Sequence, residues 1–110
     1  MNAWHHTLAA GRWQEFSLME QLGNIGGEVH RTIVAKAQAD KERERQALDR
    51  ALELFDITLA DERWFDRNKE IARAREVFVD ALFGENLYGT SLEWLDGYFL
   101  QFAIAARLKK

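Results

Sequence analysis

Cysteine is absent from the sequence, so no disulfide framework, thiolate metal site or cysteine nucleophile is available to the chain. Proline is absent too, and no helix is forced to break at one. No uncharged apolar run approaches the roughly 18 residues that a membrane-spanning helix needs. The opening residues, MNAWHHTLAAGRW, lack the basic start and apolar centre of a secretory signal. An excess of positive charge is also missing: the formal net charge of −3 gives no general pull toward nucleic acid. Together these absences point to a soluble, cytoplasmic protein.

What is present is 110 residues, 47% of them hydrophobic. That suits a single domain, residues 1–110, with one ordinary core. The stretch Glu20 to Ala37 organises the reading. Its apolar spacing is helical, yet it holds Gly23, Gly26 and Gly27 in its interior, each costing about 0.5–1 kcal/mol relative to alanine. Three such residues within two turns predict close approach: bare backbone lets a neighbouring helix in.

Four helices follow from period and caps. Ser17 and Glu20 match a capping box and open a helix over about 17–39, with Met19, Leu22, Gly26, Val29, Ile33 and Ala37 as its buried stripe. Asp40 is the expected N-cap of a second helix over about 41–60. Its core face is Leu48, Ala51, Leu52, Phe55 and Leu59, and Leu54 and Ile57 form a second flank. DERWFDR then breaks the period, with Trp64 and Phe65 as anchors against the bundle end. A third helix, about 68–83, turns Ile71, Ala74, Phe78, Ala81 and Leu82 inward and stops at Gly84. Thr90 and Glu93 form a second capping box, with Ser91 as the alternative cap, for a fourth helix over about 91–108. Short turns imply antiparallel neighbours, hence an all-α, up-down-up-down four-helix bundle with a short N-terminal arm, residues 1–16. In the arm, Trp4, Leu8 and Trp13 are packing candidates, and the adjacent His5 and His6 diverge on a helix and read as surface residues.

Three phrases, Gln21-Leu22-Gly23-Asn24-Ile25-Gly26, Arg50-Ala51-Leu52-Glu53-Leu54 and Tyr98-Phe99-Leu100-Gln101-Phe102-Ala103, resemble a family of small, uncharacterised, all-helical prokaryotic proteins. The resemblance spans about residues 17–108. It implies a compact, stand-alone prokaryotic protein and supplies no catalytic residues.

Carboxylates carry the strongest chemical motif. Glu53 and Asp56 lie three apart on the second helix, and Glu76 and Asp80 four apart on the third, each pair on one face. Four acids converging between two helices would hold Mg²⁺, an oxygen-seeking ion. The arrangement is similar to that of the MazG-type all-α nucleotide pyrophosphohydrolases. It departs from them in its Glu-x-x-Asp first pair, its longer second pair and the lack of a preceding double glutamate. The same acids otherwise pair with Arg50, Arg73 and Arg75 or face water. No Glu-x-x-His motif for a di-iron bundle occurs, nor an arginine followed four to six residues later by histidine as in helical toxin ribonucleases, nor a P-loop. His30 reads as a hydrogen-bonded packing residue beside the glycines. Gln21, Asn24, Glu28 and Arg31 form a polar line that predicts a buried network with Arg50 or Glu53. The most basic region, with Arg63, Arg67, Lys69 and Arg73, is a candidate nucleic-acid patch, though acids are interleaved with it.

The fourth helix is apolar beyond one stripe. Leu92, Leu95, Phe99, Phe102 and Ala106 face the core, and Trp94, Tyr98, Ile104 and Ala105 are left over. Such a surplus marks a helix that is either central or shared with another chain. The leading expectation is a non-enzymatic interaction or accessory protein that forms a homo-oligomer or binds another protein, with no cofactor. The alternatives are Mg²⁺-dependent nucleotide hydrolysis by Glu53, Asp56, Glu76 and Asp80, and a nucleic-acid accessory role.

Overall fold

The computed structural model of the chain describes residues 12–84 and 86–108. Four helices carry it: α1 (Leu18–Ala37), α2 (Lys41–Leu59), α3 (Asn68–Phe83) and α4 (Leu92–Leu108). Two short 3-10 segments, Trp13–Glu15 and Glu62–Arg67, precede α1 and link α2 to α3. The fold is all-α, as the periodicity required.

The helix ends show why the chain breaks where it does. Ser17 Oγ accepts the Glu20 amide and the Glu20 carboxylate accepts the Ser17 amide, closing the expected capping box. At the other end of α1, the amide of Ala39 reaches the Lys36 carbonyl and that of Asp40 the Ala35 carbonyl. This is the two-bond Schellman closure, with alanine, at φ 57°, in the left-handed position usually given to glycine. Asp40 then caps α2 through the Arg43 amide. At α4 the outcome differs from the Thr90/Glu93 box. Ser91 is the cap, its Oγ accepting the Trp94 amide, while the Thr90 amide bonds Asn86 Oδ1 in the preceding turn. Gly84 ends α3, but with extended rather than left-handed backbone. A Cβ there would sit 3.0 Å from the Asp80 carbonyl oxygen and 3.1 Å from its Cα, so a side chain would crowd the last turn of α3.

Cross-helix pairs fix the topology. Gln21 meets Asp61 and Glu28 meets Arg50, so α1 and α2 run antiparallel. Asp56 meets Arg75 and Phe55 meets Phe78, linking α2 to α3. Gly26 meets Phe99 and His30 meets Asp96, so α4 returns antiparallel along α1. α1 therefore has an extensive seam on each side, with α2 and with α4, whereas α3 packs more lightly against its neighbours.

The core is built from Leu22, Ile25 and Val29 of α1, Ala51, Leu54 and Phe55 of α2, Ile71, Phe78 and Leu82 of α3, and Leu95, Phe99 and Phe102 of α4. Phe55 is its centre, with ring centroids 6.4 Å from Phe78 and 5.9 Å, edge-on, from Phe99. Leu22, Gly26 and Val29 of the expected α1 stripe are buried, with Ile25 beside them, but the buried surface is wider. Gln21, Thr32 and Ala35 are buried too, while Met19 and Ile33 are half-buried and Ala37 exposed, because two seams rather than one claim the helix. Likewise Leu54, assigned to a flank, is fully buried, and Leu52 and Leu59 only half-buried.

Of the N-terminal arm, Trp13 is buried against the α1–α2 end. Its indole N–H donates to Thr58 Oγ1 at 3.1 Å, and its carbonyl accepts the Gln21 amide at 2.9 Å. The expectations for Trp4, His5, His6 and Leu8 lie outside the described residues.

Candidate interaction surface

The glycines of α1 set how near α4 can lie. A Cβ added at Gly26 would fall 2.6 Å from Phe99 Cβ, and one at Gly23 would fall 3.0 Å from Ala103 Cα. Both distances are well inside ordinary carbon contact, so the close-approach expectation holds at these two positions. It fails at Gly27. There the nearest atom is Arg31 Nη1 at 3.7 Å, and the position borders an open apolar groove of about 530 Å³ between α1 and α4. Gly23, Gly26, Gly27 and Ile33 line the groove on one side, Gly97 and Leu100 on the other. His30 crosses between the two helices, donating from Nδ1 to Asp96 Oδ2 at 2.9 Å.

Drawn tight against α1, α4 divides its apolar residues into two sets. Leu95, Phe99 and Phe102 enter the core. Leu100, Ile104 and Leu108 stay 58%, 49% and 80% exposed, and Trp94 58%. With Gly97 these form one outward strip at steps of three and four residues, the spacing of a single helix face. Of the four residues expected at an interface, Trp94 and Ile104 are on or beside this strip. Tyr98 and Ala105 are half-buried instead. The Tyr98 ring stacks on Trp94 at 5.3 Å and meets Phe99 and Phe102 edge-on, and burial pushes its phenol above the ordinary pKa. Leu100, Leu108 and Gly97 were not singled out beforehand. The signal for them was their spacing from Ile104, which separates the outer line from the inner one once the core line is fixed.

The expected polar network exists, in two parts. Buried Glu28 accepts from Arg50 Nε at 2.8 Å and from Arg31. Buried Gln21 joins the Trp13 carbonyl, Asp61 Oδ2 and, through its Oε1, the Trp64 indole N–H at 2.8 Å. Asn24 takes no part; it bonds back to the Glu20 carbonyl. Asp61 is buried, and Arg63 binds it at 2.7 Å. The Arg63 side chain, its backbone N–H and the Gln21 amide hold the Asp61 carboxyl below its ordinary pKa, against the opposing effect of burial. Trp64 anchors this end as expected, whereas Phe65 is exposed.

The four acids considered for Mg²⁺ are engaged in different places. Asp56 accepts from Arg75 at 3.0 Å. Asp80 accepts the amides of Leu87 and Tyr88 in the α3–α4 connection, and Glu76 the Tyr88 hydroxyl at 3.0 Å, which raises the Tyr88 pKa. Glu53 lines an open groove with Asp56 and Arg75. Among the described residues, no group of three or more histidines and acids is disposed to hold a metal ion. The basic region is likewise divided. Arg63 serves Asp61 and the Phe16 carbonyl. Arg67 pairs with Glu70 at 3.0 Å, which raises its pKa. Arg73 lies over the Tyr88 ring at 5.2 Å, and Lys69 is exposed.

Among the described residues, no helix is long and apolar enough to cross a membrane. No protein-family model, curated protein or solved structure matches the chain. What can be said of its use therefore rests on its own surface.

Proposed function

We propose that this protein is a non-catalytic association module, a helical bundle that pairs with a second copy of itself through the outer face of α4. The observation that carries the reading is the strip of Leu100, Ile104 and Leu108 with Trp94 at its edge, continued by the apolar groove beside it. Side chains of this size, half to four-fifths exposed, gain about 1–2 kcal/mol each when a partner covers them. Four from each copy give a gain comparable with the association cost of about 4–15 kcal/mol. With gain and cost so near balance, a weak, reversible dimer is the expected state rather than an obligate one.

Size-exclusion chromatography with light scattering tests this over a concentration series. The expected result is a mass rising toward that of two chains by tens of micromolar. Ile104→Glu should hold the protein as a monomer with an unchanged helical circular-dichroism spectrum, since Ile104 stands outside the core. A wild-type protein that stays monomeric throughout would remove the reading.

A further inference from the structure

The outer strip of α4 differs at its two ends, and that difference specifies how a second copy sits. Glu93 and Asp96 lie in its first turns, and Arg107 in its last. A parallel pairing of two α4 helices would set Glu93 against Glu93 and Arg107 against Arg107. An antiparallel pairing sets Glu93 against Arg107 and opposes the helix dipoles, while Asp96 is already engaged by His30. Resting on the self-association proposed above, we infer that two copies pair α4 against α4 antiparallel, about a two-fold axis passing beside Leu100 and Gln101.

Two separate features give the same register. Levelling Arg107 with the second copy's Glu93 places the axis at position 100. Levelling Ile104 with the second copy's Gly97 places it midway between 100 and 101. The two agree to half a residue, about 0.75 Å along the helix. The second match is one of shape. Nothing lies within 4 Å of a Cβ built at Gly97, and Ile104 on the same face is a half-exposed branched side chain. Each copy therefore offers one projection and one gap, seven residues apart, and the symmetry fits each projection to the other copy's gap. Leu100 then meets Leu100 and Gln101 meets Gln101 at the axis. Trp94 and Leu108 fall on the same flank and come level across it, covering each other. The flank carrying Leu100 faces the α1 groove, where Gly27 leaves room.

The absence of native cysteine makes the test direct. Four exposed positions take single substitutions in the full chain: Leu100→Cys, Gln101→Cys, Ile104→Cys and Leu108→Cys. Each variant is oxidised at a concentration where light scattering shows the dimer, then run on a non-reducing gel. Leu100→Cys and Gln101→Cys should cross-link to themselves. Ile104→Cys and Leu108→Cys should not, because the symmetry separates their copies by about 10 Å and about 22 Å along the helix. A mixture of Gly97→Cys and Ile104→Cys chains should cross-link as the mixed pair. Self-linking at 100, 104 and 108 alike would show parallel helices and overturn the inference while the association stands. A dimer that cross-links at none of these sites would overturn it in favour of another surface. A monomer by light scattering would remove the association itself. As a second readout, Glu93→Arg and Arg107→Glu should each weaken the dimer about threefold, and the double variant should restore it. Additive loss in the double variant would count against the register.

Discussion

Gly26 and Gly27 are adjacent on one helix, yet alanine at the two positions should have opposite effects. The intrinsic gain from glycine to alanine inside a helix is about 0.5–1 kcal/mol. At Gly27 little opposes it, since the new Cβ would stand 3.7 Å from the tip of Arg31. Gly27→Ala should therefore stabilise by about 0.5–1 kcal/mol. At Gly26 the new atom would stand 2.6 Å from Phe99 Cβ, about 1 Å inside the optimum for two carbons. A Cβ is fixed by its backbone, so no rotamer change at Phe99 relieves the overlap, and α4 must move away from α1. Phe99 is itself held edge-on between Phe55 and Tyr98. With overpacking at about 1–3 kcal/mol against the helical gain, Gly26→Ala should destabilise by about 1–2 kcal/mol. Gly23→Ala should fall between, because Ala103 Cα at 3.0 Å needs to yield by only a few tenths of an ångström. Thermal denaturation followed by circular dichroism reads all three, with melting shifts of about 4 °C per kcal/mol. A Gly26→Ala protein as stable as wild type would refute the close-approach argument, whatever Gly27→Ala does.

Ala39 sits at φ 57° in the Schellman closure of α1, a conformation that disfavours a side chain by about 1–2 kcal/mol. Ala39→Gly should raise stability by about 0.5–1 kcal/mol once the greater freedom of unfolded glycine is set against it, and a lowered melting temperature would contradict this. Thr58→Val keeps the shape but strips the acceptor from the buried Trp13 indole N–H. A loss of about 1–3 kcal/mol is expected, read by chemical denaturation, and an unchanged midpoint would mean the indole finds another partner. The Asp61 carboxyl has its pKa lowered by folding. Its contribution is complete above the unfolded carboxylate value near 4 and is lost as pH falls through the lower, folded one. Asp61→Asn should flatten that acid limb of the stability profile relative to wild type, and parallel profiles below pH 4 would assign the limb to other acids.

Helix boundaries were legible because caps and period agree. Ser17 with Glu20, Asp40 and the three-four spacing of Ile71, Ala74, Phe78 and Leu82 each depend on neighbours within a few residues, and local rules suffice for those. The glycine seam was legible in kind, since glycine inside a helix is costly and implies a reason. Which glycines touched α4 was not, because Gly26 and Gly27 are 100° apart on the helix and only the position of Phe99 separates them. Trp13 was legible as a packing residue, but its partners were not, for a related reason: Thr58 and Gln21 are 45 and 8 residues away, and no period points to them. The acids were misleading as a set. Their spacing within each helix fits a shared site, but spacing does not say how two helices are turned about their own axes. Asp56 turned to Arg75 and Asp80 to the connection after α3.

The unequal grip on the four helices has a kinetic consequence. α1 is clasped from both sides, while α3 leans on the rest over a smaller surface, with Phe83 and Leu87 left bare near its end. Regions with few buried contacts open at lower free energy than the whole molecule. The protein should breathe from one side, α3 lifting and reseating many times for each occasion on which α1 lets go.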